Sequence, residues 1–136
     1  IRLCANTGAE LHLIKPLGFE WQDNRLKRAG LDYHDLARVT LHENYAAYLD
    51  TVQPSRTFAF TTKANRSFSD VSYCAGDALV FGPETRGLAD EFLGNFDAKN
   101  LLRIPMRDAS RSLNIANAVA IAIYEGWRQI NFEGGR

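Results

Sequence analysis

The sequence predicts an α/β fold: a mainly parallel sheet with helices on both faces. Three observations carry this. Short apolar runs rich in β-formers alternate with amphipathic or well-capped helical stretches. Several of the runs stop at glycine or proline, notably at Pro16, Gly82-Pro83 and Pro105. No repeat, low-complexity stretch or long linker interrupts the 136 residues, and that length favours one domain, residues 1–136, with enough chain for a core of its own.

Taken in order, residues 1–6 read as the last turns of a helix, with Gly8 beyond a C-terminal stop. Residues 11–14 form a short strand closed by Pro16, and residues 23–29 a polar helix ending at Gly30. Residues 38–41 are a weak strand. Residues 44–52 form a helix that puts Tyr45, Tyr48, Leu49 and Val52 on one face and stops ahead of Pro54. The run TFAFT, residues 57–61, is a buried strand, and ALVF, residues 78–81, is another. A helix follows over residues 88–93 and a last strand over 101–104. The strongest helix spans residues 113–130, with Ser112 at its N-cap.

Composition narrows the partners. Sixteen Lys and Arg balance sixteen Asp and Glu, which argues against a general nucleic-acid glue. The charge is unevenly spread, however. Residues 1–30 carry five basic and three acidic groups, residues 67–98 one Arg against six acids, and residues 99–128 five basic groups against two acids. Twelve of the sixteen cations are Arg, whose planar fork suits phosphate, although an ordinary solvated surface uses Arg as well. Two cysteines exclude a disulfide framework and a tetrathiolate zinc site, and Cys4 and Cys74 are expected to be unpaired thiols. The longest apolar run, residues 118–124, is far short of a membrane span of about 20 residues. There is no signal-peptide pattern, so a reducing, cytoplasmic setting is the expectation. The chain starts at Ile1 without Met, so an N-terminal piece is expected to precede it.

In parallel sheets ligands gather beyond the carboxyl ends of the strands. The segments after Phe60, Phe81 and Ile104 are therefore the places to look. The first is Phe60-Thr61-Thr62-Lys63, where two hydroxyls and a cation leave a strand; a ligand contact and a plain turn are both open. The second is Phe81-Gly82-Pro83-Glu84-Thr85-Arg86-Gly87-Leu88. Gly82 permits close backbone approach to a ligand, Pro83 stiffens the turn and Gly87 permits a second bend. Its glycines stand five apart with no Lys-Ser/Thr following, so it is neither a phosphate-cradling Walker loop nor a dinucleotide fingerprint. A tight loop with a surface ion pair is the alternative. The third is Ile104-Pro105-Met106, then Ser110-Arg111-Ser112-Leu113-Asn114-Ile115-Ala116-Asn117. Asn114 and Asn117 are three apart, on one helix face, and need partners when buried. His12, His34 and His42 lack metal-ligand spacing.

These segments resemble the SPOUT class of RNA methyltransferases, in particular the TrmL/YibK group. The resembling stretches are IRLCANTG, PLGF, RLKRAGLDYH, FAFTTK, LVFGPETRGL and IPMRDASRSLNIANAVAIAIYEGWRQ, nearly the whole chain. The pairing of PETRGL with a following strand, IPM and S-x-S-L-N is the most specific part. The resemblance implies a single SPOUT domain with a deep C-terminal trefoil knot, an exception to ordinary chain topology, and a family strand ahead of the point where this chain begins. It also implies methylation of the ribose 2′-hydroxyl of the wobble C or U of tRNA, with S-adenosylmethionine as donor, S-adenosylhomocysteine as product and no metal.

By resemblance, the cofactor contacts fall at Phe60, Gly82, Ile104 and Ser112, completed by Thr61, Thr62, Glu84, Leu113 and Asn117. Arg2 is the residue acting on the hydroxyl. Because Arg stays protonated, it is assigned to the developing alkoxide and the adjacent phosphate, with Ser112 and Asn114 orienting Arg2 or the ribose. Arg86, Arg107 and Arg111 are candidates for the tRNA backbone, Tyr124 for substrate or a partner chain, and His12, His34 and His42 are expected to be structural or RNA-facing. The partners implied are a tRNA anticodon stem-loop and a second copy of the chain, joined through the first and last helices, with no membrane. Ala116, Ala118, Ala120, Ala122 and Gly126 suit such close helix packing, as they suit packing within the chain. Rival readings are a ribose methyltransferase of the same class on another RNA such as ribosomal RNA, a tRNA-binding module without turnover, and a nucleotide-phosphate hydrolase. The hydrolase would want an acid cluster for metal, which the strand ends do not supply.

Overall fold

A computed structural model describes residues 1–17, 28, 30, 32, 38–110 and 112–136. The chain divides into two compact units, Ile1–Gln53 with Gly135 and Pro54–Gly134 with Arg136.

In the first unit, α1 (Arg2–Thr7) ends at Gly8, whose φ of 79° is the left-handed conformation that lets a glycine terminate a helix. Strands β1 (Leu11–Ile14) and β2 (Val39–His42) pair in parallel, Leu11 opposite Val39 through Ile14 opposite His42. Helix α2 (Tyr45–Val52) starts where the Asn44 side chain accepts the Ala47 N–H at 2.8 Å. It ends at Gln53, one residue before Pro54. The face predicted from spacing is the inward one: Tyr48 is buried, while Tyr45, Leu49 and Val52 are half-buried. The helix expected over residues 23–29, like His34, lies outside the described residues.

Beneath α2, the Nδ1 of His12 and the Nε2 of His42 share a hydrogen bond at 2.9 Å, and the Tyr48 ring packs about 5 Å from both. His42 is only 6% exposed. Burial, and then the neighbouring His12, push its pKa below the ordinary 6.5. The two histidines thus bind each other, in keeping with a structural role.

The second unit holds β3 (Arg56–Phe60), β4 (Arg66–Ser67), β5 (Asp77–Val80), α3 (Asp90–Leu93), β6 (Leu101–Arg103) and α4 (Ile115–Gln129). The sheet order is β4-β6-β3-β5, and every pairing is parallel. The β3–β5 register is pinned at its start by Arg56, whose guanidinium binds both oxygens of the opposite Asp77 at 2.8 and 2.6 Å. The β4 strand, only two residues long, carries no period to read from sequence, and neither do the 3-10 turns Phe68–Asp70 and Ala98–Asn100.

TFAFT supplies the core as expected: Phe58 and Phe60 pack with Val71, Tyr73, Leu102 and Ala122. Burial drives this packing at roughly 25 cal/mol per Å² of apolar surface. Two small residues of α4 therefore have a different role from the one the resemblance implied. Ala122 is fully buried within the unit's own core, and a Cβ added at Gly126 would stand 3.9 Å from the Tyr73 ring. The helix is further fastened by Gln129, which accepts the Tyr73 N–H at 2.8 Å and donates to the Val71 carbonyl and to Glu125 at 2.9 Å. Hydrogen bonds from Arg128, and then the one from Gln129, hold the Glu125 carboxyl down at about 2.

Candidate functional site

The three segments chosen from the strand-end rule converge. An open cleft of about 320 Å³ is lined by residues 60–63, residues 81–88, Ile104, Met106, Ser112, Leu113, Ile115 and Ala118. In the sheet order β6, β3 and β5 are neighbours, so the loops leaving their carboxyl ends must lie side by side. The volume falls in the range of small-molecule sites.

Each wall has a local cause. Beyond β3, the Thr61 N–H donates to the Leu102 carbonyl at 2.9 Å, and the Thr61 hydroxyl accepts the Lys63 N–H at 3.2 Å. Thr61 is thus a turn former as well as a lining residue. Arg103 donates to the Thr62 carbonyl at 3.0 Å, and Lys63 forms an ion pair with Asp90. The Phe60 and Phe81 rings stack with centroids 4.6 Å apart, giving an apolar wall.

The loop after β5 closes on itself, the Gly87 N–H donating to the Pro83 carbonyl at 2.8 Å. Gly82 is pressed against that same loop. A Cβ added there would stand 2.3 Å from the carbonyl carbon of Gly87 and 2.4 Å from the nitrogen of Leu88. The close approach this glycine permits is therefore to its own chain. Gly87 has a φ of 67° with open space around it, so its need for glycine is conformational.

The start of the last helix corrects the sequence reading. The N-cap is Asn114, not Ser112, and the helix begins at Ile115. Asn114 Oδ1 accepts the N–H groups of Ala116 and Asn117 at 2.9 and 3.3 Å, while its Nδ2 donates to Glu84 Oε1 at 2.7 Å. Both ends of the side chain are engaged, which fixes its orientation at the start of α4. The bond to Glu84 also replaces the loop ion pair weighed above. Asn114 and Asn117 are exposed, and Asn117 is not among the cleft-lining residues.

Of the remaining expected residues, Phe60, Thr61, Thr62, Gly82, Glu84, Ile104, Ser112 and Leu113 all line the cleft. Arg86 lines it too. Arg107 is exposed on the loop before Ser110, Tyr124 is 45% exposed on α4, and Arg111 is outside the described residues. Arg2 is exposed on α1 and donates to the carbonyl of Gly30. The sequence reading missed Met106, Ile115 and Ala118 as wall residues. The last two are three apart on α4, a spacing that puts them on one face. Cys4 and Cys74 are free, and burial pushes the Cys4 thiol up. Among the described residues no group of three or more His, Cys, Asp or Glu is placed to hold a metal ion, and no helix is long and apolar enough to cross a membrane.

A parallel sheet whose neighbouring strand ends close one cleft, with a tight GPETRG loop on one side and a capped helix on the other, matches a methylase architecture. The chain belongs to the SpoU rRNA methylase family, whose profile matches residues 1–124. It is 57% identical over 134 residues to a tRNA (cytidine(34)-2′-O)-methyltransferase of Aeromonas hydrophila, covering 98% of this chain and 86% of that protein. A structure solved for the 2-OH methylation of C/U34 on tRNA superposes with a TM-score of 0.83 at 44% identity, over 96% of this chain and 84% of that one. The fold is shared more distantly with the methyltransferase AviRb of Streptomyces viridochromogenes in complex with AdoMet, at a TM-score of 0.79 and 20% identity over 96% of this chain and 53% of that one.

Proposed function

We propose that the protein transfers a methyl group from S-adenosylmethionine to the ribose 2′-oxygen of the wobble C or U in the anticodon stem-loop of tRNA. The observation that carries this reading is the shared cleft formed by the loops after β3, β5 and β6. The residues fit the donor. Phe60, Phe81, Leu88 and Ile104 give apolar surface for an adenine, strand-end backbone groups give hydrogen-bonding partners, and Glu84 and Arg86 give charge for an amino-acid end. Bound there, the sulfonium supplies an activated methyl group.

The chain's own work is placement and charge. Fixing the acceptor oxygen in line with the methyl carbon removes much of the entropic barrier. Arg2 is assigned to the developing alkoxide and the neighbouring phosphate, where a guanidinium that stays protonated stabilises negative charge while the hydroxyl proton leaves to solvent and the S–CH3 bond electrons stay with the departing thioether. Ser112, exposed at the cleft beside the start of α4, is assigned to the cofactor or the ribose, and Arg107, Arg111 and Tyr124 to RNA. The protein is proposed to work in the cytoplasm as a homodimer through its first and last helices. The exposed Ile121 and Tyr124 of α4 support that reading.

Incubation with labelled S-adenosylmethionine and total tRNA, followed by nucleotide mapping, tests it. The expected product is 2′-O-methylated C or U at the wobble position, formed with chelator present. Label on a base, or on ribosomal RNA alone, would overturn the reading.

A further inference from the structure

Among the described residues, three charged side chains line the cleft: Lys63, Glu84 and Arg86. Two of them have partners. Lys63 is in an ion pair with Asp90, and Glu84 accepts a hydrogen bond from Asn114 at 2.7 Å. Arg86 has neither a hydrogen bond nor an ion pair among the described residues, although it sits on the most constrained loop of the site. That loop is closed by the Gly87–Pro83 hydrogen bond at 2.8 Å, stiffened by Pro83 and packed on Gly82. Side-chain entropy aside, a guanidinium carried on such a loop meets an incoming anion with little backbone reorganisation.

We propose that Arg86 receives the carboxylate at the amino-acid end of the cofactor, while Glu84, two residues earlier on the same loop, receives its ammonium. This goes against the expectation that Arg86 grips the tRNA backbone, and it rests on the reading of the cleft as the S-adenosylmethionine site. Charge bookkeeping favours it. With Lys63 neutralised by Asp90, Arg86 is the unpaired cation among the described lining residues, and the donor carries one carboxylate beside an ammonium and a sulfonium. Glu84 keeps a carboxylate oxygen beyond the one bound by Asn114, and an ammonium is the natural donor to it. A planar carboxylate matches the guanidinium fork in two parallel hydrogen bonds. The alternating acid and base on one loop thus read a zwitterion, and the apolar walls are left for the nucleoside.

The test compares two nucleosides by calorimetric titration: S-adenosylhomocysteine, and 5′-methylthioadenosine, which lacks the amino-acid end. In Arg86→Gln, S-adenosylhomocysteine should bind about 10-fold or more weakly, and 5′-methylthioadenosine should bind as it does to the wild type. Arg86→Lys should recover part of the loss. Equal weakening of both nucleosides would mean that the substitution deforms the loop, and would overturn the assignment. Unchanged binding of both would overturn it as well, and weaker tRNA binding in that variant would then return Arg86 to the RNA. A wild-type protein that binds neither nucleoside would instead remove the cofactor reading of the cleft, a result independent of any variant.

Discussion

Replacing Gly82 by Ala is the sharpest perturbation of the site. The added methyl carbon would lie 2.3 Å from the carbonyl carbon of Gly87, 2.4 Å from the nitrogen of Leu88 and 2.8 Å from the oxygen of Gly87. Ordinary contacts between such atoms need roughly 3.5 Å or more, so the loop must retreat by about 1 Å. The obstructing atoms are backbone, so no side-chain rotation relieves the clash. Overpacking of this kind costs about 1–3 kcal/mol. For a chain of this size that lowers the melting temperature by roughly 4–12 °C. The retreat also drags Glu84 from Asn114, whose bond is 2.7 Å long, and widens the wall that the cofactor would touch. S-adenosylhomocysteine should therefore bind about 10–100-fold more weakly, equivalent to about 1.4–2.8 kcal/mol. Gly87→Ala is the control. Its methyl group meets nothing within 4 Å, but its φ of 67° disfavours a side chain, so it should cost about 1–2 kcal/mol through strain alone. Differential scanning calorimetry and ligand titration measure both variants. A Gly82→Ala protein that melts within 1 °C or so of the wild type and binds the ligand equally well would refute the close-packed loop.

Asn114→Ala removes the cap of α4 and the tie to Glu84, and should destabilise the protein by about 1–2 kcal/mol in denaturant titration; Asn114→Asp keeps a cap oxygen but sets two carboxylates together, so it should recover only the cap's share of that loss. Arg2→Ala should slow single-turnover methylation by about 100-fold or more, about 2.7 kcal/mol in barrier, with cofactor affinity unchanged and poor rescue by Lys; wild-type turnover would reduce Arg2 to a surface residue. His42 resists protonation in the folded state and accepts it near 6.5 when unfolded, so its contribution to stability is complete above about 6.5 and is lost as pH falls through the lower folded value. Melting temperature measured from pH 8 to pH 5 should decline across that window, and His42→Gln should flatten that decline; an unchanged slope in the variant would remove His42 as its source.

Much of the fold was legible because the signals are local. Gly8 beyond α1, Asn44 ahead of α2 and the prolines after the strand ends act over a few residues, and the elements they bound match the structure to within two residues at each described end. The three cleft-lining segments were legible for a related reason: in a parallel sheet every strand points the same way, so naming the strands names the end where ligands gather. What the residues alone left open was decided by contacts across long stretches of chain. Ser112 and Asn114 are both competent caps, and it is Glu84, thirty positions away, that engages the free amide of Asn114. Ala122 and Gly126 would suit a partner helix equally well, but the ring of Tyr73 and the core around Phe58 occupy that face. The two residues of β4 become a strand only because Leu102 and Arg103 pair with them. Backbone propensity and capping are settled within a turn or two of chain, whereas sheet order, packing partners and the choice between equivalent caps depend on which distant surfaces the folded chain brings together.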